Sequence, residues 1–293
     1  MGELYDRAAR VVIHELELTE LDVRFRVQRS LRPEPDTLEL TIMNLNDDHR
    51  SQLQRHGGGA TPVPVRLEAG FRQPRLSAAT GAALDAIGIT GSHALPLIFG
   101  GDVREIWSVR EGVDWVTTLT SGDGDAARTA RVNKAFGPGI PLRFAIEQVA
   151  GELGLGLGQL PKEIATAVSW DGGRQFPAGI VLSGNGYAQL TRLLTAAGYV
   201  WTVQDREIVV VRSGASFGTA VLLTPQTGLV EAPVPANDGR ISATCLLQPD
   251  LVPGRQVQFA TRHVQGHYLV ESTVHIGETS GADWFVQLEA RPL

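Results

Sequence analysis

Leu38-Glu39-Leu40-Thr41-Ile42-Met43-Asn44-Leu45-Asn46-Asp47-Asp48-His49-Arg50 begins as a strand and ends as a helix. Leu38, Leu40 and Ile42 alternate with Glu39, Thr41 and Met43. That period of two turns one face to a core and the other to water. A short helix follows over 46–53, with Asn46 as its cap and Gly57-Gly58-Gly59 as its stop. Upstream, Val23, Phe25 and Val27 alternate with Arg24, Arg26 and Gln28. Downstream, Val63, Val65 and Leu67 predict another strand, and Pro62 and Pro64 place it at a sheet edge. Two more strands are predicted over 103–110 and 115–120, turning at Glu111-Gly112, before a break at 121–125.

The middle of the chain changes period. Pro141 opens a helix at its first position, Ile146, Val149, Ala150 and Leu153 share one face, and Gly154 closes it. Leu190, Leu193, Leu194 and Ala197 repeat that spacing in a second helix over 186–197, closed by Gly198. Strands over 199–202 and 207–212 flank Gln204-Asp205-Arg206 as a hairpin. From about Gly214 strands return: Val257-Gln258-Phe259, then His267–Val270 after a Gln265-Gly266 turn. Near the end, Trp284, Val286 and Leu288 alternate with Phe285, Gln287 and Glu289. The order β, α/β, β predicts a mainly β protein with an α/β insert. Its units are 1–122, 123–215 and 216–293, and the chain over 219–240 could instead complete the first of them.

Composition bounds the function. The 293 residues are enough for two or three domains. The 33 Gly and 16 Pro make up about 17 %, above the usual ~12 %, which favours many turns and short strands. Cys245 stands alone, which excludes an internal disulfide and multi-cysteine metal sites and fits a reducing compartment. No apolar run reaches the ~18–20 residues that span a bilayer, and 1–6 lack a signal pattern. A net charge of -6 without a basic cluster argues against a protein that grips phosphate backbones. Of 26 basic residues only Lys134 and Lys162 are lysine; the arginine excess suits protein interfaces or a GC-rich genome.

Four motifs invite a chemical reading. Gly214-Ala215-Ser216-Phe217-Gly218 has the spacing of a nucleophile elbow and His56-Gly57-Gly58-Gly59 that of an oxyanion loop. Asp238 and His263, His267 or His275 would complete a triad. An elbow needs a helix after the serine, and 219–225 read as extended up to Pro225. His263 and His267 are four apart, a metal-binding spacing only in a helix. Asp123 and Asp125 lack the later ligands of a calcium loop. Gly154-Leu155-Gly156-Leu157-Gly158 follows a helix, so it is a cap and turn rather than a dinucleotide loop. The five Trp, at 107, 115, 170, 201 and 284, are scattered as core or interface residues. We expect no catalytic, cofactor-binding or metal-binding residue, no cofactor and no enzymatic activity.

Several segments, taken in order, resemble one family. The stretch 38–50 is similar to its strand-to-helix step, and Val65–Phe71 to the "V-x-L-x-A-G-Y" strand that follows. Leu97–Val103 is similar to its "I-F-x-G" strand, and Trp115–Leu119 with Gly122-Asp123-Gly124 to its "D-G" step. Leu223–Val230 resembles "S-P-x-T-G-L-I", and Leu246–Gly254 resembles "L-L-N-P-x-L-x-P-G". Gly266–Val270 through Gly281–Phe285 resembles its closing "G-x-Y-x-V … G-x-D-W" segment. The family is that of tail baseplate hub proteins of long-tailed bacteriophages, Mu-like and T-even-like. The departures are Phe71 where tyrosine is usual and a Gly- and Ala-rich insertion over 77–92.

The resemblance implies two tube-like β-barrel domains flanking the α/β module and a homotrimer. The trimer would form a ring that adapts a sixfold tail tube to a threefold spike and encloses the DNA passage without specific binding. Implied partners are the tail tube or distal tail protein, the central spike, the tape-measure protein and baseplate wedge proteins. The implied location is the virion tail tip, after assembly in the host cytoplasm. An alternative rests on the middle module, which with two helices and a hairpin after Gly179-Ile180-Val181-Leu182-Ser183 resembles the small domains of secretins and TonB-dependent receptors; it makes the chain an envelope secretion or receptor component. The third reading is the esterase using Ser216.

Overall fold

The computed structural model describes residues 7–56, 62–71, 95–165 and 175–293. The first β region holds β1 (Arg7–Ile13), β2 (Leu16–Thr19), β3 (Val23–Ser30), β4 (Thr37–Met43), α1 (Asp47–His56), β5 (Pro64–Phe71), β6 (Leu97–Glu111) and β7 (Asp114–Gly122). The α/β module follows. Its first half holds α2 (Asp125–Thr129), β8 (Arg131–Phe136), β9 (Ile140–Pro141), α3 (Leu142–Leu153), β10 (Gly156–Leu157) and α4 (Lys162–Ala165). Its second half holds β11 (Gln175–Phe176), β12 (Ile180–Asn185), α5 (Gly186–Ala196), β13 (Tyr199–Gln204) and β14 (Glu207–Arg212). The last region holds β15 (Phe217–Leu223), β16 (Val234–Pro235), β17 (Ile241–Leu246), β18 (Arg255–Ala260), β19 (Gln265–Glu278) and β20 (Trp284–Pro292). The protein is mainly β with an α/β insert.

The two β regions share one sheet. Its order is β16-β17-β20-β19-β3-β4-β7-β6-β5-β1-β2, with β18 beside β19 and β15 parallel to β18. The join is β3 against β19, where Val27 faces His275 and Phe25 faces Gly277. Among the described residues, no strand pair closes either half into a barrel. The core is continuous across the join. Val23, Phe25, Val27, Leu38, Leu40 and Leu119 pack in one cluster with Val257, Phe259, Trp284 and Val286. Burying each such side chain contributes about 1.5–3 kcal/mol.

The module has its own core, in which α3 and α5 lie over the sheet β10-β14-β13. Ile146, Val149, Ala150 and Leu153 of α3 are buried, as are Leu190, Leu193 and Leu194 of α5, on the faces their spacing predicted. Gly154 ends α3 in the left-handed conformation at φ 66°, which a side chain would strain. Asn46 caps α1 through a bond from the His49 N–H to its side-chain oxygen at 2.8 Å.

Three local expectations are corrected. Pro64 does not mark an edge, because β5 lies between β1 and β6. It opens the strand, where its missing donor is tolerated and its carbonyl accepts from the His14 N–H at 2.8 Å. Pro141 is the residue before α3 rather than its first, with extended backbone at ψ 147°. The break at 121–125 is instead the end of β7 followed by α2. β1 carries no clean alternation, with Val11, Val12 and Ile13 in a row, and β2 alternates but is only 4 residues long. Gly57–Gly59, the insertion over 77–92, Trp170 and 1–6 lie outside the described residues.

Candidate functional site

Two features of this sheet are candidates for function, an outward face and a buried junction. The face follows from register. Leu246, Phe285, Ile276, Arg26, Glu39, Thr120 and Glu105 stand opposite one another in a single row across seven strands. The adjacent row, Cys245, Val286, His275, Val27, Leu38 and Ser121, is buried. One side is therefore core, and the other is an outward face across both β regions, mixed in polarity at β17, β19 and β20 and more polar along β3 and β4. Its charged positions along β3, β4, β19 and β20 include Arg24, Arg26, Glu39, Glu278, Glu289 and Arg291, of both signs. At one end the β6–β7 hairpin extends past β5 and exposes Trp107 (41 %), Val109 and Val113. At the other end a groove of about 290 Å³ lies beside β16, between Glu231, Val234, Thr244, Val274 and Glu289.

The junction lies where the module meets the sheet. The β13–β14 turn places both Asp205 (φ 54°) and Arg206 (φ 67°) in the left-handed region, as a two-residue hairpin turn requires. The Asp205 carboxylate accepts from Arg29 Nη2 at 2.8 Å and from the Gly100 N–H at 3.0 Å. The Arg206 N–H donates to Asp123 Oδ1 at 2.9 Å, and its guanidinium donates to Asp102 Oδ1 at 3.2 Å. Thr202 Oγ1 donates to the Ser30 carbonyl, and Gln204 Nε2 to the Pro253 carbonyl, both at 2.9 Å. The hairpin is thus bonded to both β regions. Arg29, Asp36 and Asp123 are buried there. Burial pushes the Asp36 carboxyl well above the ordinary range, against the pull of Arg29. Burial and the Asp205 charge raise Asp123 to about 7. Burial would lower the Arg29 guanidinium, but the charges of Asp205, Asp36 and Asp123 outweigh it and hold Arg29 raised.

The motifs weighed in the sequence lie apart in the fold. Ser216 sits between β14 and β15, so a strand and not a helix follows it. His263 is an exposed loop residue, and His267 on β19 is exposed and bonds Gln256 at 2.8 Å. His275 is buried on the core side of the same strand. A bulge between Val270 and Ser272 shifts the alternation and separates the two. Asp238 bonds its neighbour, the Arg240 N–H. Asp123 and Asp125 turn apart to Arg206 and Arg104. Among the described residues no group of three His, Cys, Asp or Glu could hold a metal ion, and no helix is long and apolar enough to cross a membrane. Trp201 and Trp284 are core, and Trp115 lies under the Arg50 guanidinium at 4.0 Å from its ring centre.

No family model and no curated protein matches the sequence. Solved structures do match the fold. A 43 kDa tail protein of prophage MuSo2 from Shewanella oneidensis aligns with a TM-score of 0.62 at 9 % identity, over 98 % of this chain and 97 % of its own. A tail protein from Neisseria meningitidis aligns at 0.64 and 9 % identity, over 98 % and 96 %. An E. coli component of the type VI secretion system, described as structurally similar to the T4 bacteriophage tail proteins gp27 and gp5, aligns at 0.56 and 10 % identity, over 97 % and 76 %. The chain has the fold that these proteins share.

Proposed function

We propose that this chain is a structural protein of a phage tail, a baseplate hub subunit without enzymatic activity. The observation that carries the reading is end-to-end coverage: the fold of the MuSo2 tail protein aligns over nearly all of both chains. We propose units at 1–122, 123–215 and 216–293, the outer two each contributing half of the shared sheet. Three copies form a ring at the tail tip, adapting a sixfold tube to a threefold spike. Tail tube, spike, tape-measure and wedge proteins are its neighbours in the virion.

The outward face supports a conduit. It is wide and carries charges of both signs, and the chain's net charge of -6 gives it no basic excess with which to grip a phosphate backbone. The exposed Trp107, Val109 and Val113 of the β6–β7 arm support a contact surface, since large apolar side chains at a projecting tip mark interfaces. Native mass spectrometry and cryo-electron microscopy of the assembled particle test the reading. Three copies in one ring at the tail tip are expected; location in the capsid, or six copies in the ring, overturns it. The likeness to the type VI secretion component favours a second reading, the same part in a secretion apparatus. Detection in a contractile secretion sheath and absence from virions would select it.

A further inference from the structure

The junction encloses more carboxylates than cations. Arg29 of β3 faces Asp36 from the β3–β4 loop, Asp123 from the end of β7 and Asp205 from the β13–β14 turn. Arg29 is 5 % exposed, Asp36 2 % and Asp123 1 %. Asp205 is satisfied by Arg29 and Gly100. Asp36 Oδ1 accepts from the Ser30 N–H at 3.3 Å. Its Oδ2 lies 3.7 Å from Arg29 Nε, beyond hydrogen-bond reach. Asp123 Oδ2 is likewise buried and unbonded among the described residues.

The surrounding groups do not correct the imbalance. Asp102 on β6 is matched by Arg206, and Asp125 at the start of α2 by Arg104. Tyr187 of α5 bonds the Gly124 carbonyl at 3.4 Å and, held far above its usual pKa by burial, is uncharged. Arg128 of α2 is exposed to solvent. His275 of β19 is kept neutral by burial and by the Arg29 charge. One guanidinium thus stands against three carboxylates, of which Asp36 and Asp123 are closed to water and Asp205 reaches the surface. A buried charge without a partner takes up a proton instead of remaining ionised.

We propose that this junction is a proton-dependent latch: the α/β module docks on the sheet with a proton held among the Asp36 and Asp123 carboxyls, and loosens when that proton leaves. The groups that hold the proton also hold the hairpin tip, because Asp123 accepts the Arg206 N–H while Asp205 bonds Arg29. Ionising Asp123 adds a negative charge beside Asp205 and Asp36 without adding a cation. The latch closes on acidification and opens as pH rises through neutrality. It holds whether or not the chain belongs to a tail.

Hydrogen–deuterium exchange of the full chain at pH 6 and 8.5, corrected for intrinsic rates, tests it. Amides over 199–212 and at Gly100 are expected to lose protection about ten-fold at pH 8.5, the order expected when one buried group ionises, while the β3–β4 ladder is unchanged. In Asp123→Asn the difference between the two pH values should vanish. Equal protection of the hairpin at both pH values in the wild-type chain overturns the latch. Should Asp123→Asn not fold, carbon-13 titration of the wild-type carboxyls decides: one Asp titrating above pH 6 supports it, and every Asp titrating below pH 5 overturns it.

Discussion

Arg29 and Asp205, 176 positions apart in sequence, meet at 2.8 Å between strand β3 and the β13–β14 turn. The bond ties the inserted module to the strand at which the two β regions join. Arg29 also donates to the Ile98 carbonyl, so it braces β6 from the same position.

Removing Asp205 should therefore cost more than a surface pair would. Asp205→Ala removes the hydrogen-bond partner of Arg29 and of the Gly100 N–H, while Asp36 and Asp123 still offset the guanidinium charge, so the loss is about 1–3 kcal/mol. Urea denaturation checks this. The exposed pair Arg143–Glu147 on α3 is the control, and Glu147→Ala should cost under about 1 kcal/mol.

His275 predicts a pH effect opposite in sign to that of Asp123. Burial first, then the Arg29 charge, lowers its pKa from 6.5 to about 3. Its contribution is complete above pH 6.5 and is lost as pH falls toward 3, because the unfolded chain takes up the proton sooner. Asp123, raised from 3.8 to about 7, contributes fully below pH 3.8 and loses that contribution as pH rises through 7. Between pH 4 and 6.5 the rising contribution of His275 opposes the falling ones of Asp123 and Asp36, so the wild-type melting temperature should fall with pH. His275→Leu should make stability fall more steeply with pH across that range, and Asp123→Asn should make it fall less. Calorimetry at five pH values reads both tilts.

Gly277 predicts a packing effect at the join. A Cβ there would lie 2.3 Å from Phe25 Cζ and 3.0 Å from the Trp284 ring. Those two rings already meet edge to face at 5.6 Å between centres. Gly277→Ala should cost about 1–3 kcal/mol through overpacking. The melting temperature should fall, whereas Gly112→Ala, with open space around it but a φ of 63°, should cost only its backbone strain.

Trp107→Ala separates assembly from folding. Its side chain projects from the β6–β7 arm, so monomer stability should stay within about 0.5 kcal/mol of wild type. If the arm is a subunit contact, the self-association constant should fall at least ten-fold, as a central aromatic contact implies. Sedimentation over a concentration series measures it, and unchanged association removes the arm from the interface.

The local pattern was legible where one strand decides its own faces. Val23, Phe25 and Val27 announce an inward side, and Arg29 falls on the same phase. That phase was the available signal for a buried cation, and it passed unread because arginine so rarely occupies such a position. The hairpin at 204–206 was also legible, but its docking was not, since no local periodicity encodes a contact 176 residues away. The bulge after Val270 hid the burial of His275, because inserting one residue reverses the alternation that a sequence reading extrapolates. The pairing of β3 with β19, on which the common face depends, is equally non-local.

That pairing also sets a schedule for biosynthesis. Ser30 lies opposite Ser272, so the free side of β3 has no native strand to receive until about 240 further residues have been made. At about 5–20 residues per second this interval is roughly 10–50 s. Throughout it, an alternating strand with Val23, Phe25 and Val27 on one face presents bare backbone donors and acceptors. The nascent chain is then most open to mispairing, and chaperone occupancy of β3 should be greatest while the module and the last β region are still being synthesised.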